Sequence, residues 1–311
     1  MAEASTREAY GRTLVELGRV NKDVVVLDAD LSPSTMTGLF AREFPERFVN
    51  CGLQEQNMIG VAAGLAASGK IAFASTFAVF ASSRCFDQLR LYLSQPGLNV
   101  KVVATHGGIT VGEDGSSHHA IEDLALSCAL PGFTVVVPAD AIETAEAIRT
   151  AASTYGPFYV RLGRPKTPLV YPDTYRFTLG KAVTMRQGND ATIVATGIMV
   201  SMALEAADNL AKDGTDCRVI NVHTLKPLDE EAVIRAASET GAMVVVEEHL
   251  AQGGLGSRVA QVVARENAVP MAFVNLGDAY AASGKAEELL RICGLTAGDI
   301  EEAVKSTVKR K

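Results

Sequence analysis

The sequence predicts an α/β protein with two doubly wound domains. The chain has 311 residues, and at about 100–200 residues per domain two domains are expected. Short β-branched runs alternate with longer helical stretches, as in parallel sheets covered by helices on both faces. The alternation stops at a loop rich in proline and tyrosine, residues 164–177, and restarts near residue 190. We therefore place the first domain at residues 1–178 and the second at residues 179–311.

The predicted elements of the first domain place several polar residues at one edge of its sheet. Strands are predicted at residues 24–30, 70–76, 100–106, 133–140 and 158–163, and helices at 7–20, 54–68, 83–95, 120–129 and 141–154. The strands end in or just before Asp30, Thr76, His106, Asp140 and Arg164. Ligands of doubly wound sheets bind beyond the carboxyl ends of the strands, so the functional site is expected there.

The second domain repeats the alternation with fewer polar strand ends. Its predicted strands are residues 191–197, 217–222, 242–248 and 272–277, and its predicted helices are 200–212, 229–240 and 256–267. The segment GGLGS at 253–257 precedes a helix and suits an anion, but it lacks the G-x-G-x-x-G of a dinucleotide site.

Composition and charge exclude several classes of protein. With 48% hydrophobic and 21% charged residues the chain has enough apolar surface to fold, and no apolar run reaches the ~20 residues of a membrane helix. A net charge of −7 argues against a nucleic-acid surface. The five cysteines are widely spaced without a C-x-x-C pair, which disfavours a disulfide framework or structural zinc and is typical of a reducing cytoplasm.

Two segments of the first domain carry side chains suited to a flat ligand. Glu55 lies in the first turn of a predicted helix, where it either complements the helix dipole or serves as a fixed acid beside a heterocycle. Phe77 and Phe80 follow a strand end, where they either belong to the core or form a stacking platform.

A long glycine-rich loop, THGGITVGEDGSSHHAIED (105–123), contains the densest group of ionisable residues. His106, Asp114, His118 and His119 fall within fourteen residues. Long loops at strand ends are disproportionately functional. Adjacent histidines do not readily share one metal, and no cysteine is nearby, so a zinc site is not favoured.

These segments together resemble the transketolase family. STR near the start, DADLSPS, GLQEQNM, STFAVF and the TH…GEDGSSH…IE loop occur in the family's order and near its spacing. The resemblance covers essentially the whole chain and corresponds to the C-terminal two-thirds of a transketolase, its pyrimidine-binding domain followed by its C-terminal domain. The expected cofactor is thiamine diphosphate, bound here on its pyrimidine side.

The resemblance implies a role for each candidate residue of the first domain. Glu55 matches the glutamate that protonates the aminopyrimidine ring of the cofactor. His118 matches a histidine that assists proton transfer and binds oxygens of the donor sugar. Asp114 matches an aspartate that recognises a sugar hydroxyl. The matched cofactor residues are Phe77 and Phe80, against the pyrimidine, and Asp30, at the subunit contact. The residues that match those binding the terminal phosphate of the substrate are Arg7, Ser34, His106 and Arg164, with Arg161 as the alternative to Arg164. Ser83 stands where some members of the family have a further aromatic residue.

The family's diphosphate and metal motif, G-D-G followed by N-N, is absent from the sequence. We therefore expect one subunit of a split enzyme, whose N-terminal partner subunit supplies the diphosphate and Mg²⁺ sites in an α2β2 assembly. Three alternatives stay open: a 1-deoxyxylulose-phosphate synthase-like enzyme, the beta chain of a 2-oxo acid dehydrogenase, and a non-catalytic partner-binding subunit. The ketose donor and the aldose acceptor are not predicted.

Overall fold

The computed structural model describes residues 2–311 and has the predicted α/β architecture with mostly parallel sheets. The strands are β1 (Glu3–Ser5), β2 (Val24–Asp28), β3 (Phe48–Asn50), β4 (Ile71–Phe77), β5 (Val100–Thr105), β6 (Thr134–Val136), β7 (Phe158–Arg161), β8 (Lys166–Pro168), β9 (Val183–Arg186), β10 (Ala191–Ala195), β11 (Cys217–Asn221), β12 (Thr224–Lys226), β13 (Met243–Val246) and β14 (Met271–Val274). The helices are α1 (Thr6–Val20), α2 (Ser32–Thr35), α3 (Gly38–Glu43), α4 (Glu55–Ala67), α5 (Phe86–Gln88), α6 (Asp123–Ala129), α7 (Ala141–Ser153), α8 (Met199–Lys212), α9 (Glu230–Thr240), α10 (Leu255–Glu266), α11 (Ala286–Ile292) and α12 (Ala297–Val308).

The larger sheet has seven strands in the order β12-β6-β7-β5-β4-β2-β3. All neighbours are parallel except β12, which runs antiparallel to β6. Strands β2, β5 and β7 are buried along their whole length, as expected for apolar runs covered on both faces. The parallel arrangement brings the carboxyl ends of β2, β4, β5 and β7 to one edge of the sheet.

The second sheet has five strands in the order β14-β13-β10-β11-β9, and only β9 is antiparallel to its neighbour. Helix α8 packs against β10 and β11, and α12 packs against α8 and β14. The apolar residues of α8 and of α10 lie along one side of each helix, and that side is buried.

The two predicted domains share a sheet. Strand β12 follows β11 of the second sheet in sequence, yet it pairs with β6 of the larger sheet, with Thr224 opposite Val136. The amide of Val137 also donates to the carbonyl of His223 at 2.8 Å. The larger sheet therefore ends in a strand from beyond the predicted boundary at residue 178, and the boundary itself stays a prediction.

The predicted helix at 83–95 is irregular. Phe80–Arg84 and Leu89–Ser94 form π-helical turns on either side of the short α5. The predicted helix at 120–129 begins only at Asp123, because the loop before it is held by a bridge between Gly108 and Ala120. Isolated π turns occur frequently at functional sites.

Within residues 2–311, no helix combines the length and the apolar character that crossing a membrane requires.

Candidate functional site

The site residues come together at the carboxyl edge of the larger sheet. Phe77 ends β4, His106 follows β5, and Arg164 follows β7. Asp30 follows β2 with a positive φ of 65°, and its exposed carboxylate accepts from the Nδ2 of Asn50 at 2.9 Å. The common edge follows from parallel pairing, as the sequence indicates.

Glu55 begins α4 and is only 2% exposed. Its Oε1 lies 2.6 Å from Nη1 of Arg84, a side chain that is 49% exposed. The same guanidinium lies over the ring of Phe80, with its carbon 4.5 Å from the ring centroid. Glu55 is thus a buried carboxylate whose ion-pair partner reaches it from solvent across an aromatic ring.

Four rings form an aromatic–histidine cluster next to this carboxylate: Phe77, Phe80, His106 and His118. The ring of Phe77 stacks on His106 with centroids 3.8 Å apart, and on Phe80 at 5.9 Å. His118 meets the ring of Phe80 edge-on at 5.4 Å. The half-buried His118 ring also contacts the hydroxyl of Ser117 through Nδ1 at 3.0 Å. The cluster offers flat apolar faces beside imidazole nitrogens that carry or accept protons.

His106 is held in an unusual conformation. Its φ is +61°, which is uncommon outside glycine, and its Nδ1 lies 2.9 Å from the hydroxyl of Thr105. Burial, together with the charges of Arg7 and Arg164, lowers the pKa of His106 to about 3. The ring is therefore neutral near pH 7, so that one of its nitrogens donates a hydrogen bond and the other accepts one.

Arg7 and Arg164 are neighbours beside the glycine-rich loop. Arg7 donates to the carbonyl of Ser34 at 2.5 Å and to the carbonyl of Arg164 at 2.9 Å. Arg164 donates to the carbonyl of Val111 and lies 3.4 Å from the carboxylate of Asp114. Burial and the charge of Arg164 lower the pKa of Arg7. The structure thus places Arg7, Ser34, Asp114 and Arg164 in one group of contacts.

Arg161 has different surroundings. It is 6% exposed, and its Nε lies 3.0 Å from Oδ2 of Asp123, which is fully buried. Its Nη2 donates to the carbonyls of Ala120 and Glu248 at 2.9 and 3.0 Å. The guanidinium is occupied by contacts within the chain, in contrast to that of Arg164.

The residues present suit the pyrimidine half of thiamine diphosphate. A flat nitrogen heterocycle needs a buried carboxylate for a ring nitrogen and apolar faces for its rings, and Glu55 with Phe77 and Phe80 offers both. Among residues 2–311, no three histidine, cysteine, aspartate or glutamate side chains are grouped as a metal site requires.

Sequence reasoning missed two residues of this region. Arg84, the ion-pair partner of Glu55, gave no signal because its contact depends on the π-helical turn after Phe80. Lys285 lies far away in the sequence, yet it lines a cavity together with Arg7 and Arg164.

Residues 2–169 match the family model "Transketolase, pyrimidine binding domain", and residues 180–300 match "Transketolase, C-terminal domain". The chain is 45% identical to a putative transketolase C-terminal section of Methanocaldococcus jannaschii, covering 98% of this chain and 96% of that protein. It is 42% identical to a 6-deoxy-6-sulfo-D-fructose transketolase subunit of a Clostridium species, covering 98% of this chain and 95% of that one.

A solved structure described as a split gene transketolase, an inactive β4 tetramer, superimposes over the full length of both chains, with a TM-score of 0.92 and 48% identity. Other relatives are longer, and the chain spans about half of their length, for example 49% of mouse transketolase-like protein 2. Both family models match in order, and together they cover most of the chain. The chain therefore belongs to the transketolase family, as a subunit with the pyrimidine-binding and C-terminal domains.

Proposed function

We propose that the chain is the pyrimidine-binding subunit of a two-chain transketolase. The assembled enzyme transfers a two-carbon ketol unit from a ketose phosphate to an aldose phosphate. The observation that carries this proposal is the buried carboxylate of Glu55 beside the aromatic–histidine cluster at the carboxyl edge of the larger sheet. A partner-binding subunit without catalysis has no physical need for this arrangement.

In the proposed site, Glu55, Phe77 and Phe80 hold the pyrimidine ring of thiamine diphosphate. When bound, this cofactor supplies the nucleophilic carbon that breaks and re-forms a carbon–carbon bond. Glu55 would contact a ring nitrogen through a carboxyl oxygen and move a proton at that contact, and its burial excludes water from the contact. Asp30 is assigned to the subunit contact near the cofactor.

His118 moves protons at an imidazole nitrogen to and from the donor sugar's oxygens, and the nearby Asp114 orients a sugar hydroxyl. The terminal phosphate of the sugar is bound by Arg7, Ser34, His106 and Arg164. Arg164 is the better candidate than Arg161 because Arg161 is buried against Asp123. A guanidinium pair suits phosphate in a chain with a net charge of −7, since local cations must overcome the overall repulsion.

The second chain of the proposed enzyme supplies the diphosphate site and the ligands of Mg²⁺, in an α2β2 assembly. Two findings support a partner. The archaeal relative that this chain matches over nearly its whole length is described as a C-terminal section, and the structural relative as a split gene product in an inactive β4 tetramer. The sugar stays open, since another relative is described as acting on a 6-deoxy-6-sulfo-D-fructose.

Replacing Glu55 with alanine tests the assignment in the two-chain complex. General acid–base catalysis is typically worth about 10²–10⁴-fold, so turnover is expected to fall by that factor while the two chains still associate. Glu46→Ala is the matched control, because Glu46 is a carboxylate that is 67% exposed and lies 3.4 Å from the side chain of the adjacent Arg47. Unchanged turnover in the Glu55→Ala complex would show that Glu55 has no catalytic role and serves only at the start of its helix.

A further inference from the structure

A cavity of about 330 Å³ lies where the loop before α11 meets the glycine-rich loop. The charged residues that line it are Arg7, Glu113, Arg164 and Lys285. Three cations from three distant segments therefore face one space, and a single carboxylate faces them. Of the residues proposed to bind the phosphate, Arg7 and Arg164 line this cavity, and Ser34 and His106 do not.

The positive charge around this cavity is poorly compensated. Within residues 2–311, Arg164 is the only one of the three cations with an ion pair, and its contact with Asp114 is 3.4 Å long. The Nε of Arg7 is buried without a hydrogen-bond partner. Burial first, and then the charge of the neighbouring Arg164, lower the pKa of Arg7. Buried donors and adjacent like charges of this kind are stabilised by an anion.

The loop that carries Lys285 is held firmly against the first domain. The hydroxyl of Ser283 donates to the carbonyl of Glu113 at 2.6 Å. Gly112 has a φ of +85°, and a Cβ there would lie 3.2 Å from the carbonyl oxygen of Gly284. Glycine at this position therefore allows the two loops to approach. The approach places Lys285, an exposed side chain, at the rim of the cavity.

We propose that Lys285 completes an anion subsite with Arg7 and Arg164, and that the second domain thereby binds the terminal phosphate or sulfonate of the sugar substrate. This inference rests on the proposed function and extends it to a residue outside the first domain. Lys285 acts as a flexible point charge that closes over an anion already gripped by two arginines. It contributes to substrate affinity and discriminates charged from uncharged sugars, and it takes no part in the proton transfers.

The test compares Lys285→Ala, Lys285→Arg and the control Lys309→Ala in the two-chain complex with cofactor and Mg²⁺. Lys309 is an exposed lysine at the end of α12, in the same domain. The KM is measured for xylulose 5-phosphate and for unphosphorylated xylulose. Because Lys285 is exposed, its loss is expected to raise the KM for the phosphorylated sugar about 3- to 10-fold. The KM for xylulose and the kcat for both sugars stay unchanged, Lys285→Arg restores most of the affinity, and Lys309→Ala behaves as wild type.

A Lys285→Ala complex with a wild-type KM for both sugars, or with an equal loss for both, overturns the proposal. Calorimetric titration with inorganic phosphate gives a second readout that does not need turnover. Weaker phosphate binding by Lys285→Ala supports the subsite even if neither sugar is a substrate, in which case the proposed function alone has failed. If Arg164→Ala weakens phosphate binding but Lys285→Ala does not, the anion is bound by the arginines without Lys285, and the proposal is overturned.

Discussion

Replacing Arg161 with methionine is expected to destabilise the chain strongly. The ion pair with Asp123 is buried on both sides, at 6% and 0% exposure, and removing one partner of such a pair costs about 3–5 kcal/mol. Arg161 also donates to two carbonyls, those of Ala120 and Glu248, which lose their donor in the variant. Tyr159 still donates to Asp123 at 2.8 Å and compensates part of the charge. We therefore expect a loss within that 3–5 kcal/mol range rather than above it.

Urea unfolding of the chain measures this loss as a lower transition midpoint at an unchanged slope. The double variant Arg161→Met/Asp123→Leu is expected to recover only part of the stability. The uncompensated carboxylate is gone, but the hydroxyl of Tyr159 and the carbonyls of Ala120 and Glu248 stay without partners. Arg164→Ala is the comparison variant. Its guanidinium is 39% exposed, so its loss is expected to cost about 1 kcal/mol or less.

The same variants separate the two arginines that the sequence left as alternatives for the phosphate. Arg164→Ala is expected to weaken sugar-phosphate binding in a chain that stays folded, whereas Arg161→Met acts through stability. An Arg161→Met chain with the wild-type midpoint and a selective loss of phosphate affinity would refute this reasoning and exchange the two roles.

Two further variants test the packing and the electrostatics of the site. Gly108→Ala is expected to cost more than about 2 kcal/mol in urea unfolding, because a Cβ there would lie 2.0 Å from the carboxyl carbon of Glu248 and φ is +80°. The control is Gly69→Ala, which has a similar φ but no atom within 4 Å of the added Cβ, so it carries the backbone cost alone. Equal losses in both variants would argue against the clash. His106 is expected to stay neutral from pH 8 to pH 5 in an NMR titration, because its pKa is lowered to about 3. Since the unfolded chain takes up that proton near pH 6.5, the contribution of His106 to stability is present above pH 6.5 and is lost as the pH falls toward 3. Unfolding at pH 7 and pH 4 checks the sign, since His106→Gln is expected to lose less stability than wild type between these values, and an equal loss in both proteins would contradict it.

Local sequence patterns predict much of this fold and of the site's location. Apolar β-branched runs mark β2, β5 and β7, and parallel pairing brings the residues after them to one edge, including His106 and Arg164. A helix that starts with Glu55 was also predictable from its glycine turn and small residues. These features depend on residues close together in the chain.

The features that could not be predicted depend on contacts between distant segments. Strand β12 leaves its own domain and pairs with β6, and no local pattern specifies that partner. The ion pair between Glu55 and Arg84 requires the π-helical turn, and the position of Lys285 requires the docking of two loops that are about 170 residues apart. Likewise, the proposal of Arg164 rather than Arg161 for the phosphate rests on the buried ion pair between Arg161 and Asp123, which spacing does not predict.

The central claim is that this chain supplies the acid and the aromatic platform of an active site that it completes with a partner chain. The most direct measurement mixes the chain with its N-terminal partner, thiamine diphosphate and Mg²⁺, and follows conversion of xylulose 5-phosphate and ribose 5-phosphate. Glu55→Gln, which keeps the shape of the buried side chain, is run in parallel. We predict turnover only when both chains are present, and its loss in the variant. Turnover by this chain alone, or full turnover with Glu55→Gln, would contradict the account.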